Sequence, residues 1–194
     1  MKKILMTIAA AFVAVSMNAQ GYIGGTVGFG TTTDKTGAVE DKTTSFVIAP
    51  EIGMSLDDKF GVGIAIGFGY DKHEAGLETS TTTFSLKPYL RYQALTFGKA
   101  NIFVDGGIDF DIAKTKDMKA GMGIGLFVTP GIAYNISSKW SIVAKLNDMF
   151  RLGYAKSPVP DVNNAPDAPS AFAFNASTGG FRLGDLTFGV YYNF

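Results

Sequence analysis

The residues that could carry chemistry are few. The chain has one histidine, His73, beside Glu74 and near Ser80, and it has no cysteine. A histidine close to a carboxylate and a hydroxyl is raw material for hydrolysis or acyl transfer, but the G-x-S-x-G elbow that would present a nucleophile is missing. A solvated loop histidine and no catalytic site are therefore expected. Without thiols there is no disulfide framework, thiol nucleophile or cysteine-based metal site. Gly121-Met-Gly123-Ile-Gly125 and Gly61-Val-Gly63 look like phosphate-cradling loops, yet their glycines recur at strand period among apolar partners and no strand-to-helix turn follows. Asp161-Val-Asn163-Asn-Ala-Pro-Asp167 offers oxygens at alternate positions, but it lacks the glycine and closing glutamate of a helix-loop-helix calcium site. No metal and no cofactor are expected.

The charges inside apolar stretches say more. Glu51, Lys87, Arg91, Asp105, Asp109, Asp111, Lys145 and Asp185 fall on the face opposite the apolar side chains of their segments. Ionised groups enclosed on such a face persist only if paired or wet. Counted from the nearest short turn, Glu51, Arg91, Asp105 and Lys145 stand at similar heights, with Lys87, Asp109 and Asp185 a layer above, so two stacked networks are expected. A structural salt-bridge core is the favoured role, and a narrow ion path or proton relay is the alternative.

The elements that hold these charges are strands. Eight segments alternate with period two between polar or turn-forming boundaries. They are Gly21 to Thr33, Thr43 to Leu56, Phe60 to Asp71, Thr81 to Leu95, Asn101 to Ala113, Ala120 to Ile136, Trp140 to Tyr154 and Asn175 to Phe194. In the third, Phe60, Val62, Ile64, Ile66, Phe68 and Tyr70 alternate with Gly61, Gly63, Ala65, Gly67 and Gly69. Each segment reaches the roughly 9–11 residues that a tilted strand needs to cross hydrocarbon. Short connections (Asp57 to Lys59, Phe97 to Lys99, Ser137 to Lys139) alternate with long ones (Asp34 to Lys42, Lys72 to Ser80, Lys114 to Lys119, Ala155 to Phe174). In a membrane-spanning barrel that alternation puts the short turns and both termini inside and the long loops outside. The expected fold is all-β, an eight-stranded antiparallel up-and-down transmembrane β-barrel.

For the fourth and fifth strands the charges also set a register. Centring their hairpin on Gly98 sets Arg91 opposite Asp105, Lys87 opposite Asp109, and Tyr89 opposite Gly107, an aromatic expected to cover a glycine. Pro50, Pro88 and Pro130 recur at matching places in three strands. Each lacks the N–H that a ladder uses, so a bulge or bend is expected at each.

Composition agrees with a narrow barrel. Twenty-four glycines accompany 16 Phe and 8 Tyr, which suits a crowded interior and a lipid-facing, aromatic-girdled exterior. The 17 basic and 17 acidic residues balance, so no basic surface advertises nucleic acid. Lys2 and Lys3, the apolar run Ile4 to Met17, and Asn18-Ala19-Gln20 have the layout of an export signal. Residues 1–19 are expected to be a signal peptide and 20–194 a single barrel domain. At the other end, Leu186 to Phe194 alternates and stops on an aromatic.

The repeats Phe46 to Met54, Phe84 to Tyr92 and Leu126 to Tyr134, each with a central proline, and that final strand resemble the small bacterial outer-membrane β-barrel family, related in architecture to OmpX and the membrane domain of OmpA. The resemblance covers essentially the whole mature chain. It implies that Phe194 is an assembly signal, and that periplasmic chaperones and the barrel assembly machinery handle the chain before outer-membrane lipid surrounds it. It implies a non-enzymatic packed barrel serving envelope integrity, adhesion or surface protection, with no nucleic acid and with any extracellular partner met through the outer loops. A small passive porin-like channel, similar to OmpW, is the alternative. A distant third is a lipid-modifying enzyme centred on His73, resembling the lipid A acyltransferases, lipid A deacylases and omptin proteases. The loop Ala155 to Phe174, stiffened by Pro158, Pro160, Pro166 and Pro169, reads as a recognition or shielding loop or as a tolerated insertion.

Overall fold

A computed structural model describes residues 20–36, 39–75, 77–116, 118–146, 149–160, 169–176 and 186–194. The expected signal peptide, the Asp161-to-Asp167 loop and Asp185 lie outside the described residues.

The strands are β1 (Gly21–Thr36), β2 (Val39–Ser55), β3 (Phe60–Ala75), β4 (Leu77–Phe97), β5 (Ala100–Thr115), β6 (Met118–Lys119), β7 (Gly121–Asn135), β8 (Trp140–Leu146), β9 (Phe150–Lys156), β10 (Val159–Pro160), β11 (Ser170–Ala176) and β12 (Leu186–Asn193). They form a closed antiparallel barrel of eight staves. The first five staves are β1 to β5 and the sixth is β7; β8 and β9 share the seventh, both pairing with β7, and β11 and β12 make the eighth. Among the described residues, the small strands β6 and β10 pair with each other. Closure is made by β1 against β12, from Tyr22–Asn193 to Val27–Phe188. At the seam the main chains of Gly21 and Phe194 exchange hydrogen bonds of 3.0 and 2.9 Å.

Alternation sorts the side chains as the sequence dictates. On β3, Gly61, Gly63 and Gly67 are buried, while Phe60, Ile66, Phe68 and Tyr70 are exposed on the outer wall. From Phe60 to Tyr70 the outward face is wholly apolar; beyond it comes Lys72. At ~3.3 Å per residue and a tilt near ~40°, that run spans ~25 Å, the height of an outer-membrane apolar band.

The strands outrun the apolar pattern. Asp34 to Lys42 and Lys72 to Ser80, expected as loops, are largely the ends of β1–β2 and β3–β4 hairpins, paired up to Thr36–Val39 and Ala75–Leu77. The apolar alternation stops where lipid stops, whereas a backbone ladder continues through threonines, which favour extended chain. Likewise Ser170 to Phe174, expected within the last loop, pairs with β9 from Ser170–Lys156 to Phe174–Leu152.

Two of the three prolines correct another expectation, while at Pro130 the register does shift, from Val128–Phe150 to Gly131–Lys145. Pairing skips Ala49 and Pro50 on the β3 side, Lys87 and Pro88 on the β5 side, and Thr129 and Pro130 on the β8–β9 side. Each proline stays paired with the preceding strand, as Gly25–Pro50, Ile64–Pro88 and Val104–Pro130. For Pro50 and Pro88 the register is the same on both sides of the gap, so no bulge forms there. The missing donor is simply turned to the following strand.

At the β4–β5 hairpin the turn is Gly98-Lys99, closed by Phe97–Ala100, with Gly98 at φ 57°. A glycine suits that left-handed backbone. The turn is therefore centred one half-step past Gly98, and a register shift between Gln93 and Leu95 restores the expected pairing above it.

At the β2–β3 turn, the Asp57 carboxylate accepts the Lys59 and Phe60 N–H groups, each at 2.7 Å. Those backbone bonds hold its pKa below the ordinary carboxylate range. A lowered folded pKa gives stability that is present above the unfolded value and lost as pH falls through the folded one. Asp57→Asn should thus lower the urea midpoint at neutral pH, and the difference from wild type should close in strong acid. For the lipid face, Ile66→Arg should destabilise the barrel in vesicles by about 2–4 kcal/mol, against about 0–1 for Ser80→Arg beyond the apolar band; urea titration measures both.

Candidate functional site in the barrel interior

Four charges from four staves meet inside. Arg91 on β4 lies directly across the ladder from Asp105 on β5, as the sequence register requires, and donates through Nε and Nη2 to the two Asp105 oxygens at 2.7 and 2.8 Å. Lys145 on β8 donates to Glu51 Oε2 on β2 at 2.7 Å and lies 3.1 Å from Asp105 Oδ2. Two cations thus balance two anions, and all four residues are at most 7% exposed. Planar guanidinium–carboxylate forks are among the stronger hydrogen-bonded pairs, and in a dry interior their geometry fixes orientation as well as energy.

Aromatic rings hold the quartet. The Arg91 guanidinium stands 3.9 Å from the Phe103 ring centre, 4.9 Å from that of Tyr22, and 5.4 Å from those of Tyr89 and Tyr191. Tyr89 donates its hydroxyl to Glu51 Oε2 at 3.0 Å, so Tyr22, 2.7 Å away, donates to Tyr89. Arg91 Nη2 reaches the Tyr191 hydroxyl at 3.2 Å.

Eight staves leave little width, and glycines make the room. A Cβ at Gly53 would run into the Tyr22 ring, one at Gly63 into Tyr89, one at Gly131 into Phe103 and one at Gly24 into the Val190–Tyr191 segment. Tyr89 therefore covers Gly63 on β3, although Gly107 on β5 was the expected partner. The Phe127 ring already reaches Gly107, 3.1 Å from where its Cβ would stand. Below the quartet, Tyr22, Phe103, Ala133, Val143 and Tyr191 form a buried apolar cluster, which fills the bore at the short-turn end.

A second layer lies above. Arg151 on β9 donates to Asp109 Oδ2 at 2.6 Å and Oδ1 at 3.2 Å, and to Asp111 Oδ2 at 2.6 Å. Gly125 leaves the space for this pair, since its Cβ would stand 2.6 Å from Asp109 Oδ1. Lys87 keeps the expected register opposite Asp109, between the Leu86–Phe110 and Tyr89–Gly107 pairs; its amine stands 5.4 Å from the Phe127 ring centre, and Arg151 donates to both oxygens of the Asp109 carboxylate. Arg151 was missed by sequence reasoning, although it keeps the inward parity of Ser141, Val143 and Lys145.

Two adjoining cavities occupy the outer half. One of about 410 Å³ opens toward the long-loop end, between Gly28, Ser45, Asp71, Thr83, Asp111 and Arg151 among others. A smaller one of about 170 Å³ lies beneath it, down to Glu51, Tyr89, Asp105 and Lys145. Val47, Ser85 and Lys87 line both.

His73 sits on β3 beyond the apolar band, exposed, with Nδ1 2.9 Å from Thr43 Oγ1. Glu74 pairs with Lys72 at 2.6 Å, and Ser80 is the cross-strand partner of Lys72. His73 and Glu74 are thus engaged with different side chains, and Ser80 enters the ladder through its main chain. The two glycine motifs lie within β7 and β3.

The whole chain from residue 4 to 194 matches the family model of the outer membrane protein β-barrel domain. The chain belongs to this family. Its place is the bacterial outer membrane, with lipid around the apolar wall. Among solved structures, the barrel is similar to Neisserial surface protein A (14% identity, TM-score 0.52, covering 90% of this chain and 97% of that one). It is also similar to a major outer membrane protein of Thermus thermophilus (13%, 0.51, 91% and 100%) and to OprG of Pseudomonas aeruginosa (9%, 0.50, 91% and 95%). At these identities the likeness concerns the fold alone. No curated protein sequence matches.

Removing one member of the buried quartet leaves charges unpaired in a dry site. Asp105→Ala should cost about 3–5 kcal/mol, and Arg91→Met combined with Asp105→Leu should cost less than Asp105→Ala by itself. Urea unfolding of the refolded barrel in vesicles checks the order.

Proposed function

We propose that this barrel is a non-enzymatic, non-conducting scaffold of the outer membrane that presents its outer hairpins and the Pro-rich segment to the exterior, in envelope integrity, adhesion or surface protection. The observation that carries this reading is the floor: the Arg91–Asp105–Lys145–Glu51 quartet backed by the Tyr22, Phe103, Val143 and Tyr191 cluster. An eight-stranded bore is only wide enough for side chains to fill. The separate engagement of His73 and Glu74 supports a role without catalysis. In this reading residues 1–19 direct export, periplasmic chaperones and the barrel assembly machinery fold the chain, and Phe194, hydrogen-bonded to Gly21 at the seam, is the assembly signal. The outer hairpins are where an extracellular partner would dock.

The two cavities favour a second reading, a small passive channel. Planar-bilayer conductance separates the readings. The refolded wild-type chain is expected to be silent. Discrete steps that change in an Arg91→Ala, Asp105→Ala double variant would make the charged interior a lumen and overturn the scaffold reading.

A further inference from the structure

The outward mouth of the barrel has a charge balance of its own. On the inner face above the floor the described carboxylates are Asp71, Asp109 and Asp111, and the described cations are Lys87 and Arg151. Arg151 bridges Asp109 and Asp111, at 2.6 Å to each, and Lys87 is engaged within the protein as well. One carboxylate is therefore in surplus. It is Asp71, which is half-buried, lines the outer cavity, and has no side-chain hydrogen bond or ion pair among the described residues.

Acceptors and open space surround it. In the ladder Asp71 stands between Ser45 on β2 and Thr81 on β4. The hydroxyls of Thr81 and Thr115 hold each other at 2.9 Å, and His73, two residues farther out on the same face, holds Thr43. Ser45 and Thr83 line the cavity with Asp71, and their hydroxyls have no side-chain partner among the described residues. The row beneath Asp71 is Gly28, Val47, Gly69 and Thr83. A Cβ at Gly69 would meet nothing nearer than Thr83 Cβ, at 3.6 Å, so the space below the carboxylate is unfilled. Diagonal neighbours across a ladder, as Asp71 and Thr83 are, stand roughly 7–8 Å apart, which leaves room for one ligand group between their side chains.

Charge and hydrogen bonding select the occupant. A surplus carboxylate in a narrow mouth attracts a cation and repels an anion. A metal ion needs several ligands, and the described residues hold no group of three or more His, Cys, Asp or Glu side chains that could supply them. A primary ammonium donates three hydrogen bonds, and Asp71, Ser45 and Thr83 offer three acceptors. The cavity of about 410 Å³ falls within the usual range for small-molecule sites, ~300–1,000 Å³.

We propose that the outward-facing cavity binds a small primary amine in its ammonium form, with Asp71 as the counter-ion and the hydroxyls of Ser45 and Thr83 as the other acceptors. The amine enters from the long-loop end. The site goes beyond the scaffold reading and does not need a closed floor, because it lies wholly above the Arg91–Asp105–Lys145–Glu51 quartet.

The test is a titration of the isotope-labelled, refolded barrel in a non-ionic detergent and an amine-free buffer, followed through backbone amide shifts by NMR. Butylamine is the probe. Butanol, butyrate and tetramethylammonium are its neutral, anionic and non-donating counterparts, and glycerophosphoethanolamine presents the same ammonium as a lipid headgroup would. Butylamine should give saturable shifts centred on Ser45, Asp71 and Thr83, and every counterpart should bind more weakly, the headgroup analogue because its phosphate would meet Asp71. Asp71→Asn should weaken butylamine binding about tenfold or more, the worth of a hydrogen bond to a charged group, and Thr83→Val about three- to tenfold, both with an unchanged urea midpoint. Glu78→Gln, which alters an exposed carboxylate of the same hairpin, should leave the affinity as it is. No saturable shift with butylamine, a counterpart that binds as tightly, or an affinity unchanged in both Asp71→Asn and Thr83→Val would overturn the proposal, as would an equal loss in Glu78→Gln.

Discussion

The fork between Arg91 and Asp105 is the interaction on which the interior depends. Both groups are buried, and a buried charge is tolerated only with its partner in place. That requirement fixes the β4–β5 register, because a slip of one residue would put Arg91 and Asp105 on opposite faces of the wall and leave one of them in lipid. It also recruits the rest of the floor: Lys145 closes the charge count, Glu51 closes it from the opposite wall, and the hydroxyls of Tyr89, Tyr22 and Tyr191 join the network.

A polar core in so narrow a barrel is a packing problem before it is an electrostatic one. Four rings surround one guanidinium, and they fit because the wall beside each is glycine. Several inner-face glycines are the complement of the aromatics: a Cβ at Gly53, Gly63 or Gly131 would meet the ring of Tyr22, Tyr89 or Phe103. The same device serves the upper layer, where Gly125 admits the Arg151–Asp109 pair. The three prolines fit this economy. Each keeps its pairing with the preceding strand, and at Pro50 and Pro88 the register toward the following strand survives as well.

These arrangements divide the barrel into two functional halves. Below, aromatics and paired charges fill the bore. Above, hydroxyls, small residues and alternating charges leave space that faces outward between extended hairpins. The lower half is filled by side chains, and the upper half holds the two cavities.

The sequence alone determined the features set by period and sign: eight alternating segments, the sidedness of the interior charges, the Arg91–Asp105 pairing and the family, because strand alternation is a local property of the chain. It undercounted strand length where threonine replaced the apolar residues, since a backbone ladder needs no grease to continue. Only the tertiary structure decided which of two flanking glycines Tyr89 covers, that Arg151 reaches Asp109, and how the prolines turn their missing donor. Those choices depend on neighbours brought together around the closed barrel, at separations such as the 94 residues between Glu51 and Lys145. Alternation gives the side of the wall on which a group sits; closure of the wall decides what stands across from it.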